Sequence, residues 1–424
     1  MGAGHAHGTA GGRAPRGVRG AVLAVIVPVA VATLAAVLWL WPDAPDVPET
    51  QAPYTKVTGT IAGVDLKPCP KPVEVPGAAE AGPTDPRRCG TARVRLTSGS
   101  MAGQVVTSPL PSGPGTAVFK AGEKVVMLHT DQAFEGGSPY QLSDHDRSNP
   151  LWLVAAAFAL AVVAFGRLRG LTALLGLAVT FALLLKFLIP AILAGEPPLP
   201  VAIVCASAIM LTVLYLTHGF TLPTSIAVIG TVASLTLTGV LAVLAIRLTH
   251  LSGITDEASL NLDLSRGING QGLLMASVII GALGVLDDVT VTQAATVTEL
   301  ANANPAYGFG RLYKAAARVG RAHIASVINT VILAYAGASL PLLLLLSIGR
   351  QPLGEVLTGP AVATEIVRSA VGTLGLIAAV PITTALAALA RSRGRDEDAE
   401  PGEPRRPAPQ PELPPPSWPR TPAP

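Results

Sequence analysis

Long apolar runs alternate with short polar segments along most of the chain, and one long polar region interrupts them. Each run is close to the roughly 20 residues that a helix needs to cross a hydrocarbon core of about 30 Å. The runs predict transmembrane helices at 18–41, 150–165, 171–193, 199–217, 222–246, 272–296, 324–348 and 369–390. The pattern therefore predicts a mostly α polytopic membrane protein with about eight spans, in which an N-terminal anchor precedes a seven-helix membrane domain, 150–390.

The long polar region, residues 43–149, has a different pattern. Apolar and polar residues alternate with a period of two in short segments that are separated by Gly and Pro. These segments are 54–61, 91–97, 104–108 and 123–130. Such alternation is typical of strands that bury one face. The region is therefore predicted to be a small β domain, with an OB-like barrel as its candidate form.

The two ends of the chain lie outside these domains. Residues 1–17 form a short tail before the first span, and residues 391–424 are first charged and then rich in proline. A segment of that composition cannot bury a core, so a disordered C-terminal tail is expected. The first run exceeds the usual 7 to 15 residues of a signal-peptide core and lacks a clear cleavage site, which predicts an uncleaved anchor; cleavage is the alternative.

Lys and Arg gather on one side of this arrangement. With the N-terminus inside the cell, the inner segments hold Arg13, Arg16, Arg19, Arg167, Arg169, Arg311, Lys314, Arg318, Arg321, Arg391, Arg393 and Arg395. The short outer loops hold only Arg247, Arg266, Arg350 and Arg368. Basic residues near span ends are retained in the cytoplasm. The distribution predicts a cell-membrane protein with both termini cytoplasmic and residues 43–149 extracytoplasmic.

Composition agrees with a membrane protein and bears on the partners and the cysteines. The chain is 50% hydrophobic and 13% charged, whereas a soluble domain has roughly 25% charged residues. Its net charge of +3 is not gathered on a soluble face, so nucleic acid is not an expected partner. Cys69 and Cys89 share the outer polar region. An oxidising compartment would allow them to form a disulfide; two free thiols are the alternative.

The sixth predicted span carries charge inside its apolar sequence, GALGVLDDVTVTQAATVTEL, residues 281–300. Asp287 and Asp288 lie about 21 Å from its outer end at 1.5 Å per residue. Each central Asp costs about 2.5 to 3.5 kcal/mol on insertion, whereas each Leu, Ile or Val returns only about 0.3 to 0.6 kcal/mol. Because the span is unfavourable alone in lipid, the pair is predicted to face protein, an ion or a water-filled cavity.

Polar residues continue from this pair along the helix. Asp288, Thr292, Thr296 and Glu299 follow a helical spacing that places them on one stripe. Oxygen atoms in such a stripe suit a proton or a hard cation. The candidates for an ion or substrate pathway are Asp287, Asp288, Thr292, Gln293, Thr296 and Glu299.

The surroundings of the pair leave two interpretations open. Gly281 and Gly284 lie near the same side and are predicted to let another helix approach closely. In the functional interpretation the carboxylates bind a proton or cation. In the structural one they only accept hydrogen bonds from neighbouring helices, for which the fifth span offers Thr231, Ser234 and Thr238.

Other chemistries find no support in the sequence. An intramembrane aspartyl protease needs carboxylates on different spans, and His218, His250 and His323 all lie at or near span ends. There is no zinc-binding HExxH motif and no phosphate-cradling glycine loop. Lys186 lies in the third span at a height about 13 Å from that of the carboxylates, beyond the reach of its side chain. No catalytic activity, metal site or cofactor is therefore predicted.

Two polar connections are assigned simple roles. GRLYKAAARVGRAH, residues 310–323, is predicted to be a cytoplasmic loop whose basic residues fix the topology, with binding of anionic lipid or a cytoplasmic partner as the alternative. Residues 253–272 form a semi-amphipathic outer segment. A solvated loop is expected there, and a helix along the membrane surface is the alternative.

The carboxylate run and the preceding LSGITDEASLNLDLSRGINGQGLLMASVIIG resemble the core signature of the YibE/F family of bacterial multi-pass membrane proteins. The resemblance extends from about Thr55 to Ala390 and includes YQLSDHDR and GFGRLYKAAARVGRAHIAS. The positions that match the signature are Gly281, Gly284, Asp287, Asp288, Thr290, Thr292, Gln293 and Glu299. The family is a permease-like group, so the resemblance implies the topology and assigns no role to any residue.

Two functions follow from these observations. The first is a permease that moves a small solute or ion, with a coupling proton or cation at the carboxylate pair. The second is an assembly or sensing protein that acts through its outer β domain. The expected partners are the lipid bilayer, a proton or cation with a small solute, and other membrane or cytoplasmic subunits.

Overall fold

The computed structural model describes residues 16–42, 54–69, 85–112, 115–130, 138–348 and 352–398. The predicted tails lie largely outside these residues, as do parts of the long polar region. The chain divides into two compact units, one of residues Pro45–Leu175 and one of Met1–Ala44 with Gly176–Pro424.

The long polar region contains an antiparallel five-stranded sheet with the order β3-β2-β1-β4-β5. Its strands are β1 (Thr55–Leu66), β2 (Gly90–Leu96), β3 (Val105–Pro109), β4 (Lys124–His129) and β5 (Tyr140–His145). The sheet curls so that its two edge strands approach each other. The backbone N–H of Leu142 in β5 donates to the Ser108 Oγ in β3 over 2.8 Å. The result is a half-barrel, which confirms the β domain but not an OB-like fold. β5 was not predicted.

Alternation explains how this sheet forms a core. In β2 the side chains of Ala92, Val94 and Leu96 are buried while those between them point outward. Strands with this pattern bury one face of the sheet against a common core. The buried face also holds Val125 and Met127 from β4.

A disulfide joins Cys69 to Cys89 in this unit. Cys89 follows a 3-10 turn, Pro86–Arg88, whose N-cap is Asp85. The side chain and backbone of Arg87 both donate to the Asp85 carboxylate and lower its pKa to about 2. The third cysteine, Cys205, is free and buried in the helical unit.

The remaining elements are helical. They are α1 (Arg16–Trp39), α2 (Ser148–Leu183), a π-helical turn (Leu184–Leu188), α3 (Ile189–Leu193), α4 (Pro198–His218), α5 (Leu222–Thr249), α6 (Glu257–Arg266), α7 (Gly270–Ala303), α8 (Phe309–Ala338), α9 (Leu340–Ile348), α10 (Leu353–Thr358) and α11 (Pro360–Asp398). Among the described residues, seven helices are long and apolar enough to cross a membrane. This confirms a multi-pass arrangement of apolar helices.

The difference between seven and the predicted eight lies in residues Ser148–Leu193, which count as one run. The backbone of Arg167 is not helical, with φ 53° and ψ −129°. A Cβ on Gly170 would overlap the carbonyl oxygen of Val162. Eight residues of straight helix would separate those positions by about 12 Å. The chain therefore reverses direction at Arg167, between the second and third predicted spans.

The predicted start of the seventh span is wrong. α8 begins at Phe309 rather than Ile324, so the basic segment predicted to be a loop is helical. One face of this segment is buried through Leu312, Ala316 and Gly320, while its Arg and Lys side chains are exposed. Hydropathy marks where the apolar run begins, whereas an amphipathic helix begins wherever one face can be buried.

The segment before α7 also contains a helix, α6. Its N-cap Asp256 accepts a hydrogen bond from the backbone N–H of Ser259, and the Ser259 hydroxyl lies 3.2 Å from the backbone N of Asp256. This capping box satisfies backbone donors that would otherwise be unpaired. Hydrogen bonds from Ser259 also lower the pKa of Asp256. The helix has no fully buried residue. Residues Glu257–Arg266 are therefore helical, and the expected loop is wrong there.

Candidate functional site

α7 lies among the other long helices of its unit and makes contacts with α4, α5, α8 and α11. Two of its polar residues, Thr290 and Gln293, are almost fully buried, with 0% and 3% exposure. Two of its acidic residues, Asp288 and Glu299, are exposed. The helix therefore has a polar face that the fold covers and a charged face that it leaves open.

Gln293 connects three helices on the covered face. Its Nε2 donates to the carbonyl oxygen of Ala316 on α8 over 2.9 Å and to Thr384 Oγ1 on α11 over 2.8 Å. The Thr384 hydroxyl in turn donates to the carbonyl oxygen of Val380, one turn earlier on its own helix. A buried amide that satisfies both of its N–H groups in this way fixes the relative position of the helices it joins.

Gly320 of α8 makes this arrangement sterically possible. A Cβ on Gly320 would lie 2.7 Å from Gln293 Oε1 and 2.6 Å from Val380 Cγ1. Those distances are too short for a side chain, so α8 can approach α7 and α11 only with glycine at this position.

One hydroxyl of α5 bonds to α7 on the covered face. Thr231 Oγ1 and Thr290 Oγ1 lie 2.7 Å apart and share a hydrogen bond. Ser234 and Thr238 donate to carbonyl oxygens one turn earlier in α5. The polar residues of the fifth predicted span thus bond to Thr290 and to their own backbone, and none of the described hydrogen bonds connects them to a carboxylate of α7.

Close contacts hold α5 against α11. A Cβ on Gly375 of α11 would overlap Thr238 Oγ1, and a Cβ on Gly230 of α5 would overlap Thr383 Oγ1. Glycine on each helix therefore faces a threonine on the other. Such small-residue contacts let backbones approach closely, which is the main source of packing energy between helices in lipid.

The carboxylate pair lies near the middle of α7 and on its less covered side. Asp287 is half-buried, and its Oδ1 accepts a hydrogen bond from the backbone N–H of Asp288 over 2.8 Å. Asp288 is exposed. Among the described residues no ion pair includes either carboxylate, and no described hydrogen bond reaches one from another helix. The fold therefore leaves both charges without a partner from a neighbouring helix.

The rest of the predicted stripe shares this open face. Thr292 and Glu299 are exposed and Thr296 is half-buried. The Thr296 hydroxyl donates to the carbonyl oxygen of Thr292 over 2.8 Å. Arg391 of α11 is close enough to attract Glu299 electrostatically. Gln293, a candidate for the same ion or substrate pathway, lies on the covered face instead.

The two glycines predicted to admit another helix also lie on the open face. No described atom lies within 4 Å of a Cβ built on Gly284, and only the Tyr335 hydroxyl oxygen, at 3.2 Å, meets one built on Gly281. The close approaches inside this unit are instead made at Gly230, Gly320 and Gly375. Their sequence signal is weak, because glycine is common throughout the membrane domain.

One cavity reaches the open face from the side of α8 and α11, and a second shares part of its lining. The first, of about 330 Å³, is lined by Gly281, Val285, Tyr335 and Thr373 among others. A larger cavity of about 620 Å³ also includes Tyr335 and Thr373 in its lining. Val285 lies about one helical turn before Asp288. Both cavities are mainly apolar.

No group of three or more His, Cys, Asp or Glu side chains that could hold a metal ion is found among the described residues. Lys186, in the π-helical turn, is exposed. The chemistry available at the open face is therefore that of two adjacent carboxylates with nearby hydroxyls.

Comparison with known proteins gives one match. A family model described as "YibE/F-like protein" matches residues 154–393, which contain the whole of α4, α5, α7 and α8 and most of α2 and α11. No curated protein and no solved structure matches the chain.

Proposed function

The chain belongs to the YibE/F-like protein family, and from that premise we propose that it is a permease-like membrane protein that moves a small solute or ion. A proton or cation binds at Asp287 and Asp288 and couples to that movement. The proposal includes no catalytic residue, cofactor or resident metal. It places the protein in the cell membrane with both termini in the cytoplasm.

One observation carries the proposal: two adjacent carboxylates lie in the middle of a long apolar helix, and no neighbouring helix that the structure describes forms an ion pair or hydrogen bond with them. An ionisable group in a membrane helix is costly and faces a bundle interior, a water-filled cavity or another charged group. A structural role would require the fold to satisfy these groups, as it satisfies Gln293. Their charge is available to a mobile cation instead.

The surroundings of the pair favour a proton or a hard cation as the bound species. Carboxylate and hydroxyl oxygens are ligands for hard cations, and Thr292 lies one helical turn from Asp288 on the same exposed face. Two neighbouring negative charges also repel each other, and binding of a positive species relieves that repulsion. The cavity beside Val285 offers a route for a small solute toward the pair.

The test is a flux assay with the purified, full-length protein in lipid vesicles. Gradients of protons and of monovalent and divalent cations are imposed in turn, and a panel of small solutes is added on one side. The expected result is a flux that depends on one cation gradient and is lost when Asp287→Asn and Asp288→Asn are combined. The matched control is Asp256→Asn, which neutralises a carboxylate outside α7 and keeps a residue that can cap α6. Equal flux in the unaltered protein, the double variant and the control would refute the proposal.

The alternative function, assembly or sensing through the β domain, is supported by a different observation. The half-barrel has its own core, and its β3 and β5 edges meet through a side chain rather than a strand ladder. An opening of this kind leaves backbone groups free to bind a segment of another protein. Removal of residues 54–145 from the membrane-inserted protein tests it. Flux that survives with the loss of a co-purifying partner would favour this function, and retention of the partner would exclude it.

A further inference from the structure

Two neighbouring helices carry opposite charges on surfaces that the described part of the chain leaves open. On α7 this is the acidic face, defined here as Gly281, Gly284, Asp288, Thr292 and Glu299, all of which are exposed. On α8 it is the basic face, defined as Arg311, Lys314, Arg318 and Arg321, which are also exposed. The residues of the basic face are spaced three and four apart, so they form one stripe of the helix.

The charges on the two faces lie at matching heights. α7 and α8 are joined by residues 304–308, and Gln293 bonds to Ala316 across the antiparallel pair. Measured along each helix from this turn at 1.5 Å per residue, Asp288 lies at about 22 Å and Arg321 at about 18 Å. Glu299 and Lys314 lie at about 6 and 8 Å. An arginine side chain spans the difference between Asp288 and Arg321.

These charges do not neutralise each other within one chain. None of the ion pairs among the described residues joins the acidic face to the basic face. Gln293 and Gly320 occupy the contact between the two helices instead and turn the charged stripes to its outside. In a lipid environment, exposed charges of opposite sign at one depth pair with each other when a second surface brings them together.

We propose that a second copy of this chain covers the open surface. The acidic face of α7 in each copy lies against the basic face of α8 in the other, around a two-fold axis along the membrane normal. Such an axis preserves height, so that Asp288 meets Arg321 twice in one isologous interface. Gly284 has no described atom within 4 Å of a Cβ position, which lets the helices of the two copies approach closely.

The proposal does not depend on transport. The carboxylates remain near the centre of the assembly. One oxygen of Asp288 pairs with the partner's Arg321, and its other oxygen stays beside the half-buried Asp287 for a cation. A monomer that transports would contradict the dimer alone, and a dimer that transports nothing would contradict the function alone.

The experiment uses two charge-reversed variants of the full-length protein in lipid nanodiscs, with the number of copies read by native mass spectrometry. Asp288→Arg places like charges at both contacts of a homodimer, and Arg321→Asp does the same with the opposite sign. Each variant alone is expected to lose the dimer on the order of tenfold relative to the unaltered protein. A mixture of the two is expected to form heterodimers, because both contacts then join opposite charges.

The control Glu257→Arg reverses an exposed charge on α6 and should leave the dimer unchanged. Helical content and elution volume check that each variant is folded, and the mixture keeps the test valid if one variant is less stable. An unaltered protein that is monomeric in bilayers at every density would overturn the proposal. So would variants that dimerise as well as the unaltered protein, or folded variants that form no heterodimer.

Discussion

The polar residues on the two faces of α7 differ in whether neighbouring helices bond to them. On the covered face, Gln293 and Thr290 bond to side chains and backbone of three neighbouring helices. On the open face, Asp288 and Glu299 are exposed and make no ion pair with the described residues. The covered face shows what a polar group does when it holds a membrane domain together. On the open face, by contrast, no ion pair or hydrogen bond between the described helices depends on Asp288.

The largest expected effect separates activity from stability. Asp287→Asn and Asp288→Asn together should reduce flux on the order of tenfold or more, while the free energy of unfolding of the subunit changes by less than about 0.5 kcal/mol. The reason is that no neighbouring helix loses a hydrogen bond. Flux in vesicles and unfolding in mixed micelles measure the two quantities. A large loss of stability would show that the carboxylates belong to the scaffold and would remove the contrast between the faces.

Glycine offers the same contrast without charge. Gly320→Ala should destabilise the subunit by about 1 to 3 kcal/mol, because the added Cβ meets Gln293 and Val380 in a packed contact. Gly284→Ala, on the open face of α7, should be neutral or stabilise by up to about 1 kcal/mol through helix propensity. Unfolding in mixed micelles gives both values. Equal effects at the two positions would mean that the open face is packed within one chain.

Removing the buried amide should have a smaller effect. Gln293→Leu loses hydrogen bonds to Ala316 and Thr384, at a cost of about 1 to 2 kcal/mol. Thr292→Val, one residue away on the open face, should change stability by less than about 0.5 kcal/mol. The same unfolding assay serves, with helical content as a check. If Thr292→Val proved the more damaging of the two, the assignment of covered and open faces would be reversed.

The smallest effect concerns the hydroxyl pair between α5 and α7. Thr290→Val removes the bond to Thr231 and should cost about 0.6 kcal/mol, the usual size of a hydrogen bond between membrane helices. The Thr231 hydroxyl keeps its bond to the carbonyl oxygen of Ala227, which limits the loss. Thr296→Val is the control on the open side. A cost above about 2 kcal/mol for Thr290→Val would indicate a cooperative network rather than separate bonds.

The sequence predicted which residues of α7 share a face but not which face the neighbours cover. Helical spacing places Asp288, Thr292 and Glu299 together, and they are indeed exposed together. Polarity does not predict which face is buried, because Thr290 and Gln293 on the covered face are polar as well. That choice depends on Ala316, Thr384 and Gly320, which are far away in sequence and have no distinctive pattern of their own.

Element boundaries show a related limit. The apolar run predicted for the seventh span begins at Ile324, yet α8 begins at Phe309 because its first turns bury one face against α7 and α11. In the β domain, the short strand β5 was missed since only Tyr140 and Leu142 are buried in it. The start of α8 and the existence of β5 both depend on the surfaces against which they pack. The hydropathy pattern of one segment contains no information about those surfaces.

The cysteines have a practical consequence for spectroscopy. Cys69 and Cys89 are bonded to each other and Cys205 is buried, so the three cysteines of the chain offer no thiol to a maleimide probe in the folded protein. A spin label or fluorophore attached to one introduced cysteine would then report from a single site without prior removal of the natural residues. Distance distributions between labels on α7 of two copies, or across the kink at Arg167, become measurable in native-like bilayers.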